Sequence, residues 1–300
     1  MLGYAQRVSD CIIHRSLRIA TYNVQNLFTE EDARRQERAV AKPAKALKAL
    51  AGTLQGLAAD VVILQEVASA AALEQVNGLL TSPFPYAAVV EGNSERGIHL
   101  AVLSREPFTA SSHRELPLLD AEGNPLLEYE TESAAGRDLA TAIRIQRDLL
   151  QIELDLADQG TLTLFNVHLK SKTNRPWRRL AADDVRAAES RQIAAVIGGY
   201  LNDHPGRPVL LGGDFNDLRS SDSLAAIFSL PLSDPMGAEL AKTGKNPSTY
   251  WPKRRMRLDF LLLSEVAAAL FTKGSAMIHA DQRAKRASDH YPVSIDLRFD

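Results

Sequence analysis

Short blocks of apolar residues recur along the chain, separated by polar and turn-forming segments. Their lengths and their content of Val, Ile and Leu predict strands over Leu17–Val24, Val61–Gln65, Ala87–Val90, Leu100–Leu103 and Leu139–Ile145. Further strands are expected over Leu149–Leu154, Leu162–Leu169, Val209–Leu211, Leu258–Leu263 and Val293–Leu297. Runs such as Val209-Leu210-Leu211 carry no polar alternation, the pattern of a strand buried on both faces. The stretch RDLLQIELDLADQGTLTLFNVHL reads as two paired strands about a turn at Gly160. Between these blocks the period changes. Thr29 with Asp32 has the spacing of a capping box, and Pro43 suits the first turn of a helix carrying Leu47, Leu50, Leu54 and Leu57 on one face. Leu180 to Leu201 reads as a long helix ended by NDHPG. Strands and helices interleave, yet hairpins occur as well, which points to mixed sheets covered by helices. No internal repeat or low-complexity linker divides the chain, so a single domain over 1–300 is expected, with its core over about 17–297.

Composition adds limits. Hydrophobic residues at 45% with 24% charged residues fit an ordinary globular protein and not a disordered one or a coiled coil. A formal net charge of −2 supplies no global basic field, so any affinity for polyanions must be local. A single cysteine, Cys11, forms no internal disulfide and suits a reducing compartment. The first twenty residues contain Arg7, Asp10, His14 and Arg15 and lack a signal-peptide core; no later run reaches transmembrane length. A cytoplasmic location is the expectation.

The polar residues that terminate the apolar strands carry more. VLLGGDFNDL delivers Asp214 and Asn216 at the end of a core strand, where a carboxylate needs a partner or a cation. RIATYN ends at Asn23 and DVVILQE at Glu66. LFNVHLKSK carries His168 and Lys170, RLDFLLLS holds Asp259 before its apolar run, and ASDHYPVSIDL sets Asp289 and His290 at the entrance to the last strand. Each has an ordinary structural explanation: a turn cap, a helix start, a satisfied core histidine. Together they recur at strand ends, where sheet proteins collect their ligands.

The ordered series TYN, LQE, NVHLKS, GDFND, RLDF and SDH resembles the endonuclease/exonuclease/phosphatase superfamily, from about Leu17 to Leu297. The resemblance implies a four-layer α/β sandwich like that of deoxyribonuclease I, two mixed sheets face to face with helices outside. It implies a phosphoester hydrolase using Mg²⁺ or Mn²⁺, hard ions that take oxygen ligands; the chain offers no Cys–His cluster for zinc. By the same resemblance Glu66 is the principal metal ligand, with Asn23 and Asp289 beside it. His290 is the general base, oriented by Asp259. Asp214 and Asn216 hold the attacking water and the phosphate, or ligate a second ion, and His168 stabilises or protonates near the leaving oxygen. Arg137, in GRDLATAIR, stands where bacterial relatives place a phosphate-contacting arginine.

Family membership names no substrate. Three segments, 168–179, 253–257 and 283–286, hold about a third of the chain's 35 basic residues and no acid, and each adjoins a site motif. Lys170, Trp177, Arg178, Arg179, Trp251, Arg254 and Arg255 are therefore candidate substrate contacts, cations for phosphates and indoles for bases. Nucleic acid or an oligonucleotide is the expected substrate, with no membrane insertion and no obligate protein partner. The alternatives are hydrolysis of a phospholipid, inositol phosphate or other small phosphoester, and, more distantly, a non-catalytic binding module. Against the last, Glu66, Asp214, Asn216, Asp259, Asp289 and His290 are all present.

Overall fold

The computed structural model describes residues 15–130, 139–174, 180–243, 248–253 and 256–299. Cys11, Arg137, Trp177, Arg178, Arg179, Arg254 and Arg255 lie outside these.

In chain order the strands are β1 (Arg15–Leu27), β2 (Val61–Val67), β3 (Tyr86–Val90), β4 (His99–Ser104), β5 (Phe108–Ser112), β6 (Leu127–Glu130), β7 (Leu139–Ala142), β8 (Leu149–Asp155), β9 (Thr161–His168), β10 (Val209–Asp214), β11 (Leu232–Ser233), β12 (Asp259–Ser264), β13 (Met277–Ile278) and β14 (Val293–Phe299). The helices are α1 (Glu30–Arg35), α2 (Ala44–Leu57), α3 (Ala70–Asn77), α4 (Ala182–Asp203), α5 (Ala225–Phe228), α6 (Pro235–Thr243), α7 (Glu265–Leu270) and α8 (Gln282–Ala287). One six-stranded sheet has the order β13-β14-β1-β2-β4-β3, the other β11-β12-β10-β9-β8-β5, and β6 pairs with β7 apart from both. Each large sheet is mixed: β1 runs parallel to β2, and β9 to β10, while their other neighbours are antiparallel.

The continuous apolar runs are explained by burial on both strand faces. Ile19, Ile63, Val102 and Ile295 of one sheet pack against Ile152, Leu164, Leu210 and Leu261 of the other, forming the middle of the sandwich. The opposite face of the first sheet is covered by Leu50, Leu54 and Leu57 of α2 and Leu73 and Val76 of α3. That of the second is covered by Val185, Ala188, Ile193 and Ile197 of α4 and Ile227 of α5. The four-layer sandwich is thus the observed fold. No helix among the described residues is long and apolar enough to cross a membrane.

Several boundaries move. The helix expected over Leu180–Leu201 spans Ala182–Asp203, and the capping box is present, Thr29 accepting from the Asp32 N–H while Asp32 accepts from the Thr29 N–H. The strand expected over Leu139–Ile145 ends at Ala142, with Arg144 making only an isolated bridge to Pro117. Strand β10 does not stop at Leu211 but continues through both glycines to Asp214. Gly213 has φ 136°, and a Cβ there would come within 2.0 Å of the Val167 carbonyl oxygen. Only glycine lets β10 lie this close to β9 and still present Asp214 beside His168.

Candidate active site

The topology gathers the polar strand termini at one edge. Parallel β1 and β2 finish there, as do β9 and β10, while the antiparallel strands β12 and β14 begin there. Asp214 is therefore level with His168 on one side and with Asp259 on the other. A cleft of about 220 Å³ at this edge is lined by Asn23, Glu66, His168, Asp214, Asn216, Asp289 and His290, among others. Asp259 lies buried behind His290.

Glu66 owes its position to paired irregularities in neighbouring strands. Register shifts between Gln65 and Val67 on β2 and between Asn23 and Leu27 on β1. Within these bulges Glu66, Gln25 and Asn26 take left-handed backbone, with φ of 67°, 49° and 54°. The result turns the Asn26 N–H onto Glu66 Oε2 at 2.9 Å, and the Gln25 N–H onto Asn23 Oδ1 at 3.0 Å. Lys42 clamps the same turn, its Nζ donating to the carbonyls of Val24 and Gln25 at 2.8 and 2.9 Å.

Asp259 Oδ2 meets His290 Nδ1 at 2.8 Å, which leaves Nε2 facing Asp214 Oδ2 at 3.7 Å. Asp259 is held in turn by Thr249, whose Oγ1 accepts from the N–H groups of Leu258 and Asp259. Burial disfavours charge on His290, but Asp259 and Asp214 outweigh it and hold the imidazole well above its ordinary range. His168 is opposite in character. Burial, then Arg147 and His290, push it well below the usual imidazole range, so its ring is neutral at pH 7. Its Nε2 lies 3.5 Å from Asp214 Oδ2 and 3.8 Å from Glu66 Oε1, beyond good direct hydrogen bonds and close enough for an inserted oxygen to serve both sides.

Asp214 accepts from Asn23 Nδ2 at 2.9 Å and from the Asn216 N–H at 2.9 Å; Asn216 Nδ2 also donates to the Leu169 carbonyl. Burial raises the Asp214 and Asp289 carboxyls, and Asp259 adds to both shifts. Carboxylates crowded in a half-closed cleft suit a cation, and the donors, carboxylate and amide oxygens, suit a hard divalent one. Among the described residues, Asp214, Asp259 and His290 offer donor atoms all within 4.8 Å of one another.

Not every candidate lines this cleft. Trp251 is anchored beside it: its Nε1 donates to the Ser288 carbonyl at 2.7 Å and the Lys285 ammonium stands over its ring. Lys170 borders a neighbouring depression, its Nζ donating to the carbonyls of Ser171 and Thr173. The acid-free appearance of the basic segments does not survive folding, because their partners come from elsewhere in the chain. Lys172 pairs with Asp217, and Arg257 with Asp234 at 2.7 Å. Two arginines that the motifs do not include do line the cleft. Arg147 is buried, with Nη1 on the Leu169 carbonyl at 2.8 Å, and Arg96 bonds Asn26 Oδ1 and lies 3.7 Å from Glu66. Arg147 precedes β8, whose start lies beside the end of β9, so the Gly160 hairpin contained the signal that brings it to His168.

Comparison with known proteins agrees with this architecture. The Endonuclease/Exonuclease/phosphatase family profile matches residues 20–290. No curated protein matches the sequence. The fold is similar to that of the human Nocturnin catalytic domain with bound sulfate anion (TM-score 0.62, 15% identity, 95% of either chain covered). It is similar to an endonuclease/exonuclease/phosphatase from Beutenbergia cavernae (TM-score 0.58, 19% identity, covering 95% of this chain and 72% of that one). A mannosyl-6-phosphatase from Bacteroides thetaiotaomicron is also similar (TM-score 0.55, 17% identity, 93% and 98% covered). At such identities these structures speak for the fold alone. With the profile spanning nearly the whole sandwich and its polar edge, the chain belongs to the endonuclease/exonuclease/phosphatase family, whose members hydrolyse phosphoesters.

Proposed function

We propose that this protein is a divalent-metal-dependent phosphodiesterase, using Mg²⁺ or Mn²⁺, that cleaves nucleic acid or oligonucleotides. The observation that carries the reading is the buried Asp259–His290 pair, 2.8 Å apart, set across one cleft from Glu66, Asn23 and Asp289. Glu66, Asn23 and Asp289 would hold the metal. When bound, a divalent ion there polarises a phosphoryl oxygen and offsets developing negative charge. Asp259 fixes the ring of His290 so that Nε2 faces the cleft. Asp259 and Asp214 hold the imidazole above its ordinary range, so the neutral form, whose Nε2 takes a proton from the attacking water, gains population as pH rises above neutrality. The water oxygen bonds to phosphorus as the bond from phosphorus to the leaving oxygen breaks. Neutral His168 is a hydrogen-bond donor rather than a strong acid, which favours stabilising an oxyanion over delivering a proton. Asp214 and Asn216 position the water and the phosphate, and Arg147 and Arg96 supply positive potential near the transferred group.

A second reading, hydrolysis of a small phosphoester, is favoured by one observation. Lys172 and Arg257 from the basic segments are already ion-paired within the molecule. Turnover of DNA, RNA, phospholipid and inositol phosphates with added Mg²⁺ separates the two. His290→Ala should lower the rate on the preferred substrate by roughly a hundredfold or more. A near-normal rate in that variant would remove His290 from the reaction.

A further inference from the structure

Beside the reactive cleft runs a second groove of about 480 Å³, bounded by the segment after α1 and by the β3–β4 loop. Arg96 lines both, and Asn26, on the wall of the groove, donates its N–H to Glu66 Oε2. The groove therefore opens directly beside the candidate metal ligand. Its walls are preformed: Gly97 has φ 62°, and a Cβ there would stand 2.7 Å from Gln36 Nε2, so the two segments pack without slack. The lining combines apolar and polar groups. Phe28 is buried, whereas Val40 is 75% exposed, a large apolar side chain left uncovered. Arg38 is exposed and has no ion pair or hydrogen bond among the described residues. Glu37 and Glu95 balance Arg38 and Arg96 in charge, so the groove is ill suited to a run of phosphates. An apolar surface edged by donors and acceptors, with a guanidinium free to stack, suits a nucleobase.

We propose that this groove is a nucleoside subsite, holding the base next to the scissile phosphodiester against Val40, with Arg38 stacking on it and Arg96 meeting the linking phosphate. The proposal rests on the phosphoesterase reading of the neighbouring cleft. It adds to that reading a set of contacts separate from the basic segments.

The test compares wild type with Arg38→Ser/Val40→Ser, two exposed positions whose replacement leaves the core intact. Both proteins are assayed with Mg²⁺ on the dinucleotide TpT and on methyl p-nitrophenyl phosphate, which carries no nucleoside. The ratio of kcat/KM for TpT to that for the methyl ester should fall at least tenfold in the variant, with the loss in KM. A ratio within twofold of wild type overturns the subsite. If wild type cleaves the methyl ester but not TpT, the subsite falls and the phosphoesterase reading stands. If it cleaves neither, that reading fails and takes the subsite with it.

Discussion

Glu66 occupies left-handed backbone that costs a non-glycine residue on the order of 1–3 kcal/mol, and Gln25 and Asn26 do the same opposite it. Such strain persists only where surrounding contacts impose it, and here Lys42 is the clamp, bonding two successive carbonyls of that turn. Burial lowers the Lys42 ammonium to about 8, while Glu66 and Asp289 pull it back up. Lys42 thus braces the turn beside the proposed metal ligand Glu66. Lys42→Met should weaken Mg²⁺ binding by roughly tenfold or more, in line with other supports of metal ligands, and Lys42→Arg should recover part of the loss. Calorimetric titration with Mg²⁺ checks this; equal affinities in wild type and Lys42→Met would confine Lys42 to a structural role. Glu66 and Asp214 stood out in the sequence because a charged residue closing an apolar run is conspicuous, and His290 because it completes the SDH motif ahead of the last strand. Lys42 and Arg96 were not, since a cation in a polar loop looks like solvated surface until the fold brings it to a carboxylate.

At the scale of elements, the two sheets are tied by amides as well as by apolar packing. Gln65 of β2 donates to Asn166 of β9 at 2.8 Å, and Asn166 donates back to the Leu64 carbonyl at 3.0 Å, all buried. Asn166→Leu strands these groups and should destabilise the protein by about 1–3 kcal/mol, with Gln65→Leu/Asn166→Leu recovering part of it, as measured by urea unfolding. The loop after β10 depends on a buried charge network. Fully buried Arg186 of α4 bonds Asp217 Oδ2 at 2.5 Å and the Lys170 carbonyl at 3.0 Å, bracing the loops after β9 and β10. Burial alone would raise the Asp217 carboxyl, but Lys172, the Leu218 N–H, Ser221 and Arg186 outweigh it and hold it at about 2. Its folded value lies below the unfolded value of about 3.9. This network therefore contributes stability above pH 4 that is lost as pH falls toward 2. Between pH 5 and 2.5 the melting temperature should fall more steeply in wild type than in Asp217→Asn; parallel curves would contradict the assignment. The helices with strong local signals, the capping box of α1 and the leucine face of α2, were readable from the chain. The two-residue strands β11 and β13 and the one-turn helix α5 were not, because tertiary pairing decides elements that short.

At the scale of the molecule, the mixed topology turns scattered motifs into a site. Two parallel pairs end, and antiparallel partners begin, at one edge of a two-sheet sandwich, so residues as distant in sequence as Asn23 and Asp214 bond directly at 2.9 Å. The sandwich itself was legible only through the resemblance carried by the strand-end residues; periodicity alone led no further than mixed sheets under helices. The basic segments show the limit of reading charge by window, since Asp217 and Asp234 reach Lys172 and Arg257 from other parts of the chain. As proposed, this edge is a metal-dependent phosphoester-cleaving centre with Glu66 as its chief metal ligand. The most direct measurement is the rate of methyl p-nitrophenyl phosphate hydrolysis against free Mg²⁺, for wild type and for Glu66→Gln of matching circular dichroism. The expected result is a saturable rise in wild type, abolition by EDTA, and a curve for Glu66→Gln displaced to far higher Mg²⁺ with a strongly reduced rate. Superimposable curves, or a wild-type rate indifferent to Mg²⁺ and EDTA, would contradict it.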